Sequence, residues 1–329
     1  MERVQARPCP RGSMRGRCFV GVCITETGLI RNPMSRGRGQ CHESRPDVPV
    51  APDLQPVRRP VMESRTITAA KNLLQHKNII FRLTERELKN RYVGSALGIF
   101  WTFASPVSQI LIYLLIFSVI FKVDVRASAD PGGFAHWMII GLLPWFLFSD
   151  VLTKAPFVLL GNANIITNMA FPAEILPAVN LLTATADHLL SLCVYVLIFV
   201  ASGMEVSWRL LAILPVYIAL SLLTLGLSWI FAALNVFLRD IGALCGIFVR
   251  IWFFLTPILY PLHLVPERLR SIYLLNPAIY FIEGYRFAFL GQSSVTMASM
   301  MLFGLASLAF FSAGAVLFKK LEIHFADVL

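Results

Sequence analysis

The sequence predicts an all-α integral membrane protein with six transmembrane helices, an N-terminal amphipathic interface helix and a re-entrant helix pair between spans five and six. Three observations carry this prediction. The 329-residue chain is 57% hydrophobic and 15% charged, with a mean hydropathy of +0.68, whereas about a quarter of the residues of a soluble domain are charged. Apolar runs recur at the length of about 20 residues that crosses a hydrocarbon core. The stretch from Arg82 to Pro106 passes from a charged amphipathic pattern into an uncharged apolar one.

Residues 1–61 come first. They hold eleven Arg against five acids, so +6 of the net +10 resides in this segment and the remainder of the chain is nearly neutral. The segment is rich in Arg, Pro and Gly, lacks a periodicity that could bury a core, and is expected to be a disordered basic tail. It has no apolar run ending in a small-residue cleavage site, which excludes a secretory signal. Cys9, Cys18, Cys23 and Cys41 lack paired metal-ligand spacing and have only His42 nearby, so no zinc site is expected. Helix-compatible sequence begins at Met62, and translation is expected to start there.

Residues 62–97 form the interface-helix region. Thr84 with Glu87 three residues later is a capping-box pattern, which predicts a helix start. Glu85–Lys89 and Glu87–Arg91 are favourable i,i+4 pairs, and Leu83, Leu88 and Tyr92 share one face. Arg82, Arg86, Lys89 and Arg91 immediately precede the first apolar run, placing this end in the cytoplasm. The pattern predicts a helix on the membrane face that docks on a cytoplasmic partner, with Glu87 and Arg91 among its contacts.

Residues 98–329 form the transmembrane domain. The expected spans are Gly98–Phe121, Phe134–Ala155 with a bend at Pro144, Pro177–Ala201, Leu210–Phe237, a fifth that begins after Asp240 and reaches Tyr260, and Val295–Phe318. Six crossings place both termini in the cytoplasm. Between spans two and three, Asn162, Asn164 and Asn168 alternate with Ile165, Ile166, Met169 and Phe171 up to Pro172, a short cytoplasmic helix with one apolar face. Residues 261–292 are too apolar for an exposed loop and too interrupted to span. Pro266 and Pro277 suit the first turns of two short helices, and such backbone at membrane depth must be shielded by protein or line a cavity.

Ionisable residues within spans cost about 2.5–3.5 kcal/mol each at a helix centre. Asp150 and Lys154 can pair, and Asp187–His188 lie within the third span. Arg250 is expected to face the interior, against an acid such as Asp150. Trp101, Trp252 and Tyr260 are amphipathic rings placed where lipid contact alone would not require them, and are expected to line or border a transport path. The sequence lacks HExxH, GxSxG, GxxxxGK[ST] and metal-ligand clusters, so no catalytic, cofactor or metal residues and no nucleic-acid partner are expected. A permease driven by a separate ATPase, a membrane-embedded glycosyltransferase and a passive channel are the three classes left. The scattered acids disfavour the second and the docking elements disfavour the third.

RELKNRYVGSALGIFW, GLLPWFLFSD, NIITNMAFPAEILP, FLRDIG, TPILYP and NPAIYFIEGYR occur in that order. Together, over residues 80–329, they resemble the permease subunits of ABC exporters that carry polysaccharides or teichoic acids across the bacterial inner membrane. The resemblance implies that Asn162–Phe171 is the coupling helix seated on the ATP-hydrolysing subunit and that the Pro266 and Pro277 helices form the outer gate. It implies two copies of a separate ATPase, which carries ATP and Mg, and a cargo of O-antigen, capsule or teichoic-acid-like polymer, free or lipid-linked. A drug or small-lipid exporter is the alternative of the same fold. A homodimer is expected, with Gly94, Ser95 and Gly98 permitting close helix contact.

Overall fold

The computed structural model describes residues 17–19, 22–24, 71–90, 133–168, 171–261 and 265–329, with scattered positions between 104 and 116. The chain divides into two units, Met1–Arg59 and Pro60–Leu329. In the first, strands β1 (Arg17–Phe19) and β2 (Val22–Ile24) pair antiparallel with Cys18 opposite Cys23. The described residues of the second are helical or irregular.

After helical turns at residues 71–75, α1 runs Lys77–Asn90. Then come α2 (Gly133–Leu160), α3 (Ala163–Asn168) and α4 (Ile175–Ala201). A 3-10 turn, Trp208–Ala212, leads into α5 (Ile213–Phe237), followed by α6 (Ile241–Leu255). Two shorter helices, α7 (Glu267–Leu274) and α8 (Pro277–Leu290), precede α9 (Met297–Leu321) and the terminal turn α10 (Phe325–Val328). Among the described residues, four helices are long and apolar enough to cross a membrane: Gly133–Leu160, Ile175–Ala201, Trp208–Phe237 and Met297–His324. They correspond to expected spans two, three, four and six, and make this a multi-pass membrane protein. The expected first span lies largely outside the described residues, as do Gly94, Ser95 and Gly98.

The fifth span is shorter than expected. Its helix stops at Leu255 instead of reaching Tyr260, because Pro257 pushes Thr256 out of the helical region, to φ −103 and ψ 134. The Thr256 hydroxyl then donates to the Trp252 carbonyl (2.8 Å).

Helix α2 is the centre of the bundle: 67% of its apolar window is buried, against 22–33% for the other three long helices. Pro156 within it has no N–H, which leaves the Leu152 carbonyl without its helical donor. The Cys245 thiol of α6 donates to that carbonyl (3.2 Å), and the Asn235 amide of α5 donates to the Pro156 carbonyl (2.7 Å) while accepting from the Gly242 amide (2.8 Å). The turn from α5 to α6 is thus pinned to the end of α2. Helices α5 and α9 cross at two glycines. A Cβ at Gly314 would lie 2.2 Å from the Gly226 carbonyl oxygen, and one at Gly226 would lie 2.5 Å from that of Phe310. Small residues allow this backbone approach, which replaces the missing hydrophobic drive between helices in lipid.

The contacts define two ends. Asn72, Glu174 and Lys319 meet at one. Trp137, Pro257 and Arg286 meet toward the other, where Arg209 approaches Gly291.

Candidate transport and coupling sites

At the Asn72–Glu174–Lys319 end, α1 lays one face on α4. Ile80, Ile175 and Val179 form a small cluster with Leu83 and Phe171 packed against it. Thr84 is buried in this contact, and its hydroxyl donates to the Ile80 carbonyl (2.9 Å). Thr84 is therefore not a helix cap. A T-x-x-E spacing also places both residues on one side of a continuous helix, and the ladder already runs through from Lys77. The exposed side carries Arg82, Glu85, Arg86, Glu87 and Lys89. Lys89 lies 2.6 Å from Glu85 and holds its carboxyl below the usual carboxylate range, chiefly through that hydrogen bond. Arg91, with the expected Glu87–Arg91 pair, lies outside the described residues.

The segment expected to be helical up to Phe171 is shorter: α3 ends at Asn168, and residues 171–174 form a turn around Pro172. Proline disfavours the helical conformation in the residue before it, here Phe171. The Asn162 amide donates to the Val158 carbonyl (2.9 Å), satisfying a terminal carbonyl of α2. Asn164 is exposed; the Asn168 side chain lies outside the described residues. Through Phe171, this segment and α1 share one apolar cluster, so the two expected docking elements lie side by side.

Glu174 closes the turn around Pro172 and directly precedes α4. It is 1% exposed, accepts from the Asn72 amide (2.7 Å) and ion-pairs with Lys319, which also pairs with Glu322 (2.9 Å). Its carbonyl accepts from the Trp229 indole (3.1 Å). Sequence reading missed this residue. Its only local signal is an acid directly after the Phe-Pro-Ala turn.

Toward the other end, Pro277 occupies the first turn of α8 and Asn276 caps it, accepting from the Ala278 amide (3.0 Å). The same Asn276 accepts from the Trp252 indole (2.7 Å) and donates to Thr256 (2.9 Å). The turn between α7 and α8 thus lies beside α6, not beyond its end. Pro266 is exposed just before α7, and its carbonyl accepts from the Leu269 amide (2.9 Å). Tyr260 donates to the Phe254 carbonyl (2.8 Å) and meets the Tyr273 hydroxyl (3.1 Å). An apolar cavity of about 300 Å³ opens at this seam, lined by Phe248, Trp252, Leu255, Tyr273 and Asn276 among others.

Helix α8 also carries an ion pair that sequence reading missed. Arg286 Nη1 lies 2.8 Å from Glu283, with side chains only 2% and 5% exposed. The guanidinium stacks 3.3 Å from the Trp137 ring centroid and donates to the carbonyls of Pro257 (3.1 Å) and Ile258 (3.3 Å). Glu283 in turn accepts from the Ser294 amide (2.7 Å). The knot ties α8 to the start of α2, the break after α6 and the loop before α9. Opposite charges three residues apart in FIEGYRFAF were the available signal.

Arg250 contradicts its expected position. It is exposed on α6, and Asp150 pairs with Lys154 instead (2.7 Å), since i,i+4 on one helix is the nearest reach. Trp252 is half-buried with its ring on Phe148 (5.0 Å between centroids). His188, on α4, meets the Tyr285 hydroxyl (2.8 Å) inside the bundle. Trp101 lies outside the described residues.

Comparison with known proteins places the sequence among transporter membrane subunits. The chain is 31% identical over 264 residues to the O-antigen export system permease protein RfbA of Myxococcus xanthus, covering 79% of this chain and 99% of that one. It is 29% identical over 254 residues to the protein of the same name from Klebsiella pneumoniae, covering 77% and 95%. It is 24% identical over 202 residues to the polysialic acid transport protein KpsM of Escherichia coli, covering 60% and 76%. The family model for the ABC-2 type transporter matches residues 79–290, from α1 to the end of α8, and the chain belongs to that family of transporter membrane subunits.

Proposed function

We propose that this chain is the membrane permease of an ABC exporter that moves a polysaccharide out of the cytoplasm across the bacterial inner membrane, powered by a separate ATPase. The observation that carries this is the near full-length similarity to O-antigen export permeases, 99% of one and 95% of another. The cargo is an O-antigen, capsule or teichoic-acid-like polymer, carried on a lipid. Two copies of the chain associate with two ATPase subunits, which hold the ATP and Mg. Both termini lie in the cytoplasm.

The exposed charged side of α1, with Glu87, and the α3 segment from Asn162 to Phe171 form the ATPase-docking face. The shared cluster around Ile80 and Ile175 supports treating them as one surface. The α7–α8 pair enters the membrane from outside and forms the gate, braced by Arg286 and latched to α6 by Asn276. Arg250, in an exposed apolar stripe with Ile247, Ile251 and Phe254, would cost about 2.5–3.5 kcal/mol against lipid at mid-depth. Its position therefore supports placing that face of α6 toward the conduit or the second copy. The path runs past Arg250 and Tyr260, with the rim of Trp252 at the seam; Trp101 completes the set.

Deletion of the gene in its host tests the reading. Surface polymer disappears and lipid-linked polymer accumulates inside the cell. Normal surface polymer together with altered efflux of a small lipid or drug would overturn it.

A further inference from the structure

An acid at a helix N-terminus ordinarily serves its own helix, capping free amides or facing the dipole. Glu174 precedes α4 but makes no side-chain cap bond there. Its buried carboxylate is instead directed at distant parts of the chain. One oxygen accepts from Asn72, in the turns leading into α1. The other pairs with Lys319, in the last turn of α9. The backbone carbonyl holds Trp229 of α5. Glu174 is also the exit of the α3 segment, two residues beyond Pro172. A push on that segment reaches Glu174 through a short turn and, through its two oxygens, both α1 and the last span.

We propose that Glu174 is the coupling residue of this permease, transmitting displacement of the α3 segment to α1 through Asn72 and to α9 through Lys319. The proposal rests on the reading that the α3 segment docks on the ATPase. A buried charge pair is weak evidence for stability, and coupling between sites can be carried by hydrogen-bond and ion-pair networks that have discrete arrangements.

The measurement is polymer export per ATP hydrolysed, made on the intact complex with its ATPase in vesicles and by complementation in cells. Glu174→Gln keeps the shape and the Asn72 contact but removes the charge facing Lys319. The expected complex assembles and hydrolyses ATP within about twofold of wild type, while export per ATP falls roughly fivefold or more. Glu174→Lys with Lys319→Glu and Glu322→Gln restores opposite charges at positions 174 and 319 without setting two acids side by side, and recovers most of the loss. A mere brace would lower assembly, ATP turnover and export in parallel. Such a parallel loss, or normal export per ATP in Glu174→Gln, overturns the proposal. Should Glu174→Gln fail to assemble, Asn72→Ala, at a half-buried position, decides: a split between ATP turnover and export supports coupling, and a parallel or absent effect refutes it. Asn164→Trp in the same assay tests docking separately. An unaffected Asn164→Trp complex refutes docking at this segment, whereas a disrupted one beside a normally exporting Glu174→Gln complex refutes only the role of Glu174.

Discussion

At the scale of single residues, some buried polar side chains among the described residues serve backbone groups at helix breaks, as Asn235 does at Pro156 and Arg286 does at Pro257 and Ile258. Arg286 illustrates the rule: a guanidinium buried among apolar helices is tolerable only when its donors are used, and it serves Glu283, Pro257, Ile258 and the Trp137 face together. Removing one partner of such a pair strands the other charge. Arg286→Met is therefore expected to destabilise the detergent-solubilised protein by about 3–5 kcal/mol, measured by denaturant unfolding. Glu283→Gln should cost less, because the amide oxygen still accepts from Ser294. Arg286→Met with Glu283→Leu should recover part of the loss. If the double variant is worse than the single one, the pair is not the source of the penalty. Gly141 belongs to the same argument. A Cβ there would lie 3.0 Å from Arg286 Nη2, so Gly141→Leu should reproduce the Arg286→Met defect while leaving both charges in place.

At the scale of elements, the long helices were legible because about 20 apolar residues have few alternatives to spanning. Expected spans two, three, four and six lie within a few residues of α2, α4, the Trp208–Phe237 unit and α9. The start of α8 was equally legible from Asn-Pro. Errors arose where one spacing serves two structures. Thr84 and Glu87 satisfy a capping box and an ordinary helix face alike, and only the turns before Lys77 decide between them. The α6 terminus was legible in Thr256-Pro257 but was overridden by the apolar run continuing to Tyr260. Long-range polar contacts such as Glu174 with Lys319, or Asn235 with Pro156, leave no periodic trace and could not be read from one sequence. Helix crossing is similarly hidden, because Gly226 and Gly314 are unremarkable in apolar sequence. Their backbones nearly touch, so Gly314→Val must push α9 away from α5. This is expected to lower accumulation of folded protein in the membrane severalfold, a loss of about 1–3 kcal/mol from overpacking, whereas Gly304→Val, where a Cβ meets open space, should be silent. Equal effects of the two would mean that the close crossing does not exist.

At the scale of the whole molecule, the α6 region has to be reconciled with membrane thickness. Its 15 residues rise only about 22 Å at 1.5 Å per residue, short of a hydrocarbon core of about 30 Å. The remaining depth must be covered by something other than a straight helix. The α7–α8 pair is placed for this, since Asn276 at its turn bonds Trp252 and Thr256 of the α6 terminus while Arg286 farther along α8 reaches Trp137. If the pair is re-entrant, its turn lies at membrane depth and its flanking loops lie outside. Single cysteines in a background with the native cysteines replaced by serine test this, with a membrane-impermeant maleimide applied to intact spheroplasts. Glu205→Cys and Ser293→Cys should label from outside, and Glu87→Cys and Asp327→Cys only after permeabilisation. Leu275→Cys at the turn, although 82% exposed in the isolated chain, should label from outside about tenfold more slowly than Ser293→Cys, because a site at membrane depth has restricted access to water. Equal rates at 275 and 293 would place the pair in the periplasm as a simple hairpin and remove the reason for calling it a gate. Labelling of Glu205→Cys only from inside would invert the topology, and the docking face on α1 and α3 would then lie on the side without ATP.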